Sequence, residues 1–477
     1  MEILIHKIGK KENLIKHTAF FLFLLLALLI GSHHEPWADE AQSWLIARDT
    51  GFKDLFSVMS YEGSPALWPL ILKIFIFLGL TYPFLYLVPF FFSSLGVWLL
   101  IYKAKLPLAV RVALPFTYYI FYQYTIVARS YCLILPAIEL IALLYDNRLR
   151  NPCGYGLMLI LLSGICLHTL LLSGVLYLLF CWDVFRTVIP QNHKIQIICN
   201  ECSAFAVGVS YLFTIWYAKP PSDCSFHAGF ETDLTKIPAA ICERIGEAFL
   251  FSSSTLFWFL LFAVVLVLIF MFYYRITLRF CIVAFPIWIF LSCFYCNQWH
   301  IGMIFLSVLL ACQLYPPEPK FSDMRIHRCL FALLGIILGV QISWSVRTSF
   351  YDYREAYSGA GQAAEFIKAN YDGENKIYGL GYFSTGLEPY FESNIFKNRN
   401  TAYYFWSDFN GDWTNQRIRS NMPDVIVYAE CESAGFQDII NVLQSGGYQC
   451  RRFQGASYVK DGIYESQTYY VYVKLRS

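Results

Sequence analysis

Long apolar blocks separated by short polar stretches set the pattern of this chain. A helix needs roughly 20 apolar residues to cross the hydrocarbon core of a bilayer, and somewhat shorter ones occur. On that measure the blocks predict spans near 17–32, 83–102, 107–123, 130–146, 154–168, 169–185, 196–217, 252–273, 279–296, 300–315 and 328–347, eleven in all. Residues 65–80 are apolar too, but a full span there breaks the alternation of charged loops, so they read as an interfacial or half-inserted helix. The pair 154–168 and 169–185 is short and also fits one kinked element. Lys103/Lys105, Arg148/Arg150, Arg186/Lys194, Arg275/Arg279 and Lys320/Arg325/Arg328 then share the N-terminal side, which an excess of Lys and Arg marks as cytoplasm.

The opposite side receives 33–82, the turn "QYTIVARS", the loop 218–250, the turn "NQWH" and the tail 348–477. In "WADEAQSWLIARD", Trp37, Ala41, Trp44 and Leu45 recur at helical spacing, while Asp39, Glu40, Gln42 and Ser43 point elsewhere. Phe52, Leu55, Phe56 and Met59 do the same in "GFKDLFSVMS". Both read as short amphipathic helices in the membrane interface, with Trp37 and Trp44 toward lipid. In the tail, "GAGQAAEFIKANY" and "FQDIINVLQSGGY" read as helices, and "NKIYGLGYF", "PDVIVYAE" and "SQTYYVYVKLR" as strands. The expected fold is therefore an all-α polytopic membrane domain over 1–347, followed by a small extracytoplasmic α/β domain over 348–477.

Composition sharpens this picture. The chain is 57% hydrophobic and 15% charged, with mean hydropathy +0.47. Soluble domains carry about 25% charge. A net charge of +2 and the lack of a basic aromatic patch argue against nucleic acid as a partner. Most of the 15 Cys sit in apolar blocks, where they act as small hydrophobes, and the last 130 residues hold only Cys431 and Cys450. Lys7, Lys10, Lys11 and Lys16 precede the first block as in a signal peptide, but no small-x-small cleavage site follows. "GSHHEPWADE" thus reads as the loop after an uncleaved span.

That loop carries the densest group of titratable residues. Asp39 and Glu40, beside the bilayer surface, are partly desolvated, which suits general-base work; a helix N-terminus would also favour them. His33, His34 and Glu35 with Asp39 raise the question of a metal, but adjacent His residues chelate one ion poorly and no H-x-x-x-H spacing is present. They read better as supporting residues. Arg129 stands at the outer mouth of a span, suited to a phosphate or to simple snorkelling. His168 and His300 stand at the outer ends of two other spans, and Glu139 lies inside one, facing the protein interior. Asp39, Glu40, Arg129, His168 and His300 all fall at one membrane face.

These segments resemble the GT-C superfamily of multi-spanning glycosyltransferases, which includes protein O-mannosyltransferases and lipid A aminoarabinose transferases. The resemblance rests on the "DEA" pair after the first span and on "YEGSPALWPLILKIF". It extends through "VARSYCLILPAIELIALLYDNR", "GICLHTLLLSGVLYLLF", "NQWHIGMIFLSVLLAC" and "YSGAGQAAEFIKANY". It implies inverting sugar transfer from a polyprenyl-phosphate-linked donor to an extracytoplasmic acceptor, in a bacterial plasma membrane. Asp39 would be the base and Glu40 would orient the site. Arg129, with His168 or His300, would hold the donor phosphate, and Tyr131, Tyr61 and Glu62 would bind substrate. A second acidic motif is missing from "QYTIVARS", so no metal or other cofactor is expected. Ala41, Gln42 and Ser43 replace the Arg-Tyr that often follows the acidic pair in aminoarabinose transferases, which leaves the acceptor open. The rival classes are a transporter and a lipid-linked polysaccharide polymerase or ligase. A transporter calls for broken, charged helices in repeated halves, and no repeat is present.

Overall fold

The computed structural model describes residues 2–191, 193–225, 233–250, 274–294, 296–319, 324–371, 374–407, 420, 422–430, 435–459, 462–464 and 467–475. The span expected at 252–273 lies outside them. Six described helices are long and apolar enough to cross a membrane: Lys10–Gly31, Tyr82–Lys103, Ser130–Asn147, Leu167–Gln191, Lys194–Ala218 and Arg328–Arg354. The chain is a helical integral membrane protein with a small mixed sheet near its C-terminus.

Proline breaks two of the other expected spans. The 107–123 segment is a short α-helix, Leu108–Ala113, a 3-10 turn holding Pro115, and a π-helix, Tyr118–Ile126. The 279–296 segment splits into Leu278–Ala284 and Pro286–Cys293. Proline lacks the N–H that would continue the ladder and clashes with the turn before it. Pro152–Ser163 and Leu167–Asp183 are two separate helices rather than one kinked element. Leu67–Phe77 covers 11 residues, about 16 Å, too short to cross the core alone.

The loop after the first span departs from the interfacial reading. The helix Ala38–Asp49 is buried almost all round, Trp37 and Trp44 included. Trp44 packs on Tyr82 at 5.6 Å between ring centroids, and Trp37 packs on Trp299 at 5.8 Å. One face lies against the Leu67–Phe77 helix and another against the tail's 3-10 segment Phe383–Tyr390. The apolar stripe thus meets protein, not lipid. Phe52–Glu62 keeps an amphipathic pattern: Leu55, Val58 and Met59 are buried, Phe52 is exposed, and Phe56 packs on Tyr217 at 5.0 Å.

The last long helix runs on to Arg354 rather than ending near residue 347. The tail then folds around a four-stranded sheet, β1 (Ile377–Gly379), β2 (Val425–Ala429), β3 (Tyr448–Phe453) and β4 (Tyr469–Lys474), in the order β1-β2-β4-β3. β1 and β2 are parallel; β4 pairs antiparallel with both neighbours, with Val427 opposite Val471. Every residue of β2 is buried, as in a strand covered on both faces. Ala360, Ala364, Ile367 and Leu387 cover one face; Ile439, Ile440 and Leu443 cover the other.

The tail is tied to the first loop by polar bonds. Glu35 accepts hydrogen bonds from the Gly361 N–H, at 3.1 Å, and from the Tyr390 hydroxyl. Arg48 donates to the Phe391 carbonyl at 2.7 Å. Gln42 donates to the Tyr404 carbonyl and accepts from its N–H, at 2.7 and 2.8 Å.

A buried charge cluster joins this loop to the membrane helices. His34 donates from Nδ1 to Asp352 at 2.8 Å and from Nε2 to Glu40 at 3.1 Å. Tyr122 of the π-helix donates to the same Asp352 oxygen at 3.1 Å. Burial pushes the His34 imidazole down, but the Asp352 and Glu40 carboxylates outweigh it and hold His34 well above the usual histidine range. His34 is therefore a cation between two carboxylates. Removing one member of such a cluster leaves buried charge uncompensated and costs about 3–5 kcal/mol. His34→Ala is expected to lower the melting temperature of the detergent-solubilised protein by several degrees, whereas His33→Ala, at an exposed neighbour, leaves it nearly unchanged. Equal melting curves for the two variants would remove His34 from the framework.

Candidate functional site

Asp39 and Glu40 open the Ala38–Asp49 helix, where the positive end of the helix dipole favours carboxylates. Adjacent residues on a helix point about 100° apart, and here the two part company. Glu40 turns inward. It is fully buried, and it accepts from the Trp37 N–H and His34 through one oxygen and from the Ala128 N–H, at 2.6 Å, through the other. It does not line the cavity. Asp39 faces the cavity.

Arg129 follows directly on the backbone that Glu40 holds. The π-helix ends at Ile126, Val127 and Arg129 are extended, and the next helical turn starts at Ser130. π-Turns of this kind are rare and recur at functional sites. The extended residue at that junction carries its guanidinium onto Asp39, donating from Nη1 to Oδ2. Burial disfavours the charge on Arg129, but the adjacent Asp39 carboxylate more than restores it, so the guanidinium stays charged. Its Cζ lies 5.4 Å from the ring centroids of both Tyr131 and Trp299.

Around this pair lies a cavity of about 400 Å³. Such volumes are ordinary for small-molecule sites. Asp39, Glu62, Arg129, Tyr131, His168 and His300 all line it. These residues come from the loop after the first span and from the ends of three membrane segments. His168 and His300 lie ring to ring, with centroids 4.5 Å apart. The His300 Nδ1 accepts the Asn297 N–H at 3.1 Å, which leaves the proton of the neutral ring on Nε2. His168 is only 6% exposed, and neither of its ring nitrogens has a hydrogen-bond partner among the described residues. A buried polar group without a partner is costly, and this one is at the cavity wall.

Other expected site residues lie elsewhere. Tyr61 donates to Asp223 at 3.0 and 3.1 Å and packs on Phe405, outside the cavity. His33, His34 and Glu35 diverge: His33 packs on Tyr353, His34 joins the buried cluster, and Glu35 binds the tail. Among the described residues no group of three His, Cys, Asp or Glu is arranged to hold a metal ion. Glu139 is buried and accepts from Gln313 at 2.8 Å, joining two membrane helices.

The tail adds residues that sequence reasoning missed. Gly381, at φ +67°, makes a left-handed turn that suits glycine. It delivers Tyr382, whose hydroxyl donates to Asp39 Oδ1 at 2.9 Å. Burial, then the Asp39 charge, holds the Tyr382 phenol well above its usual range, so it remains a donor. Phe383 and Trp406 also line the cavity, with Trp37, Gln42 and Trp299. Tyr382 is 343 residues from its partner.

Glu62 closes the same end. Its helix stops at Gly63, a left-handed cap at φ +59°. Gln42 donates to Glu62 at 2.7 Å, and the Trp406 side chain hydrogen-bonds it as well. Burial pushes the Glu62 carboxyl up to about 7; the Gln42 bond opposes this and the Asp39 charge adds to it. No protein-family model matches this chain, and neither does any curated protein.

A carboxyl whose folded-state value is raised favours folding most fully at low pH, below its unfolded value, and loses that contribution as pH rises through about 7. Glu62→Gln cannot ionise. The melting temperature of Glu62→Gln minus that of the wild type should therefore rise between pH 5 and pH 8, as followed by thermal unfolding across that range. A difference independent of pH would show that Glu62 does not titrate there.

Proposed function

We propose that this protein is a membrane glycosyltransferase of the GT-C kind, which moves a sugar from a polyprenyl-phosphate donor to an acceptor outside the cytoplasm, with inversion. The observation that carries this reading is the meeting of Asp39, Arg129, His168 and His300 in one cavity at the ends of membrane segments. A carboxylate that can take a proton, beside a guanidinium and imidazoles that can hold a phosphate, is the chemistry such a transfer needs.

In this reading the acceptor hydroxyl oxygen attacks the anomeric carbon and its proton passes to Asp39. The bond from that carbon to the phosphate oxygen breaks, and its electron pair leaves with the phosphate. Arg129, with an N–H from His168 or His300, neutralises the charge that develops there. A single in-line displacement inverts the anomeric configuration. In the unliganded protein Arg129 and Asp39 hold each other, and Tyr382 holds the second Asp39 oxygen. The donor phosphate would take Arg129 over and release Asp39 to the acceptor.

The chain would cross a bacterial plasma membrane eleven times, with the N-terminus in the cytoplasm and the tail outside. Polar contacts support the sidedness. His168 begins the Leu167–Asp183 helix at the cavity, and Asp183 at the far end accepts from Arg148 and Arg279, at 2.5 Å each. Two of the basic loops are thus gathered at the end away from the site.

Asp39→Asn is expected to lower transfer from polyprenyl-phosphate sugars by about 10²–10⁴-fold, the usual weight of a general base. It should leave expression and membrane insertion unchanged. Because Arg129 then loses its competing carboxylate, the same variant should bind a prenyl phosphate at least as tightly as the wild type, while Arg129→Ala binds it weakly. Radiolabel transfer and equilibrium binding in nanodiscs measure the two effects. Full transfer activity in Asp39→Asn would remove Asp39 from the reaction.

A further inference from the structure

The cavity has two unlike ends. One is bounded by His168, His300 and Tyr131, all carried on membrane segments. The other is bounded by Tyr382 and Trp406 from the tail, with Gln42 and Glu62 from the first loop. The paired Asp39 and Arg129 stand between them, bonded to each other, with Asp39 also bonded to Tyr382.

The tail end is an aromatic wall fixed from behind. The Tyr382 and Trp406 rings lie 4.8 Å apart at 34°, and Tyr404 backs both, 4.9 Å from Trp406 and 5.7 Å from Tyr382. Arg399 packs over Tyr404 at 5.0 Å and donates to Ser384 and Thr385, 2.6 and 3.0 Å away. Gln42 pins the Tyr404 backbone in both directions. A wall held in this way does not have to be ordered when a ligand arrives. The polar groups beside it are a carboxyl, a carboxamide and a phenol; the Gln42 N–H groups and the Tyr382 O–H are already engaged, so what these groups offer a ligand is acceptor oxygens. Of the described residues that line the cavity, only Arg129 carries a fixed positive charge.

We propose that Tyr382 and Trp406, with Gln42 and Glu62, form a pyranose-binding subsite, so that the acceptor is a saccharide. In naming the ligand an acceptor, this rests on the function proposed above. A pyranose presents a patch of C–H groups on one face and hydroxyls around its rim. The rings match the first, and the carboxyl and carboxamide match the second. The site suits an extended peptide poorly. Peptides are commonly held by main-chain pairing at a sheet edge, and among the described residues none that lines the cavity belongs to a strand. A hydroxyl bound on this wall lies on the Asp39 side of the cavity, where the proposed base can receive its proton.

The test uses the full chain in nanodiscs and saturation-transfer NMR. The probes are methyl glycosides of the common hexopyranoses, linear disaccharides, a Ser/Thr-containing hexapeptide and farnesyl phosphate. At least one saccharide should receive saturation, strongest on its C–H face. Trp406→Ala should weaken that signal about fivefold or more, the scale expected for a lost aromatic contact, while Trp406→Phe keeps most of it. Farnesyl phosphate should bind Trp406→Ala as it binds the wild type. Saccharide signals that are absent, or indifferent to Trp406, overturn the subsite; so does Trp406-dependent binding of the peptide alone. If saccharide binding depends on Trp406 but farnesyl phosphate does not bind the wild type, the subsite stands and the donor assignment falls.

Discussion

Everything at the cavity hangs on one buried cation. His34 sits between Asp352 of the last long helix and Glu40 of the first-loop helix. A carboxylate is costly to bury without a partner, so the loop has one low-energy way to dock. Glu40 transmits that constraint. Its second oxygen holds the Ala128 N–H, one residue before Arg129. Asp39 is the residue before Glu40, so both members of the cavity's ion pair stand next in sequence to a group fixed by the same carboxylate. Tyr122 brings the π-helix to Asp352 as well. The geometry of Asp39 and Arg129 is thus set by a charge network that neither of them joins.

That arrangement explains how so apolar a protein keeps an ionic site at the edge of a membrane. Asp39 and Arg129 neutralise each other, and the phenol of Tyr382 satisfies the remaining carboxylate oxygen. Glu62, raised to about 7, is partly neutral near neutral pH. The cavity therefore carries little net charge while empty. On the proposed reading the incoming donor is a phosphodiester, which brings one negative charge and pairs with Arg129, leaving Asp39 as the unmatched anion beside the acceptor. On the proposed reading, charge balance alone couples the arrival of the donor to the exposure of the base.

How much of this was legible depended on whether the signal was local. Arg129, His168 and His300 each interrupt or end an apolar block, and alternation of charged loops puts such ends on one face; they do line one cavity. Choosing between neighbours was out of reach. Asp39 and Glu40 are equally polar in the sequence, and Tyr61 and Glu62 both offer polar atoms, yet the helical turn between adjacent residues sends one of each pair into the cavity and the other away. Periodicity also marks an apolar face without saying what covers it, so Trp37 and Trp44 read as lipid-facing although the rest of the chain covers them. The broken segments at Pro115 and Pro286 carried a visible mark, but hydropathy averages over such breaks.

Tyr382 and Trp406 left no trace of that kind. They lie in irregular stretches of a domain that reads as an ordinary water-soluble α/β fold, and only the docked structure puts them over Asp39. Their position has a consequence for how the site is built. The membrane helices supply the guanidinium and the imidazoles, whereas the tail supplies a hydroxyl to Asp39 and the rings of the far wall. Residues that hold a lipid-linked group must stay near the bilayer, but those that choose what meets it need not. A tail loop such as 380–407 is free to change in ways that a membrane helix is not. Selectivity for the second substrate would then be expected to reside in the tail, and the transfer step itself in the membrane domain.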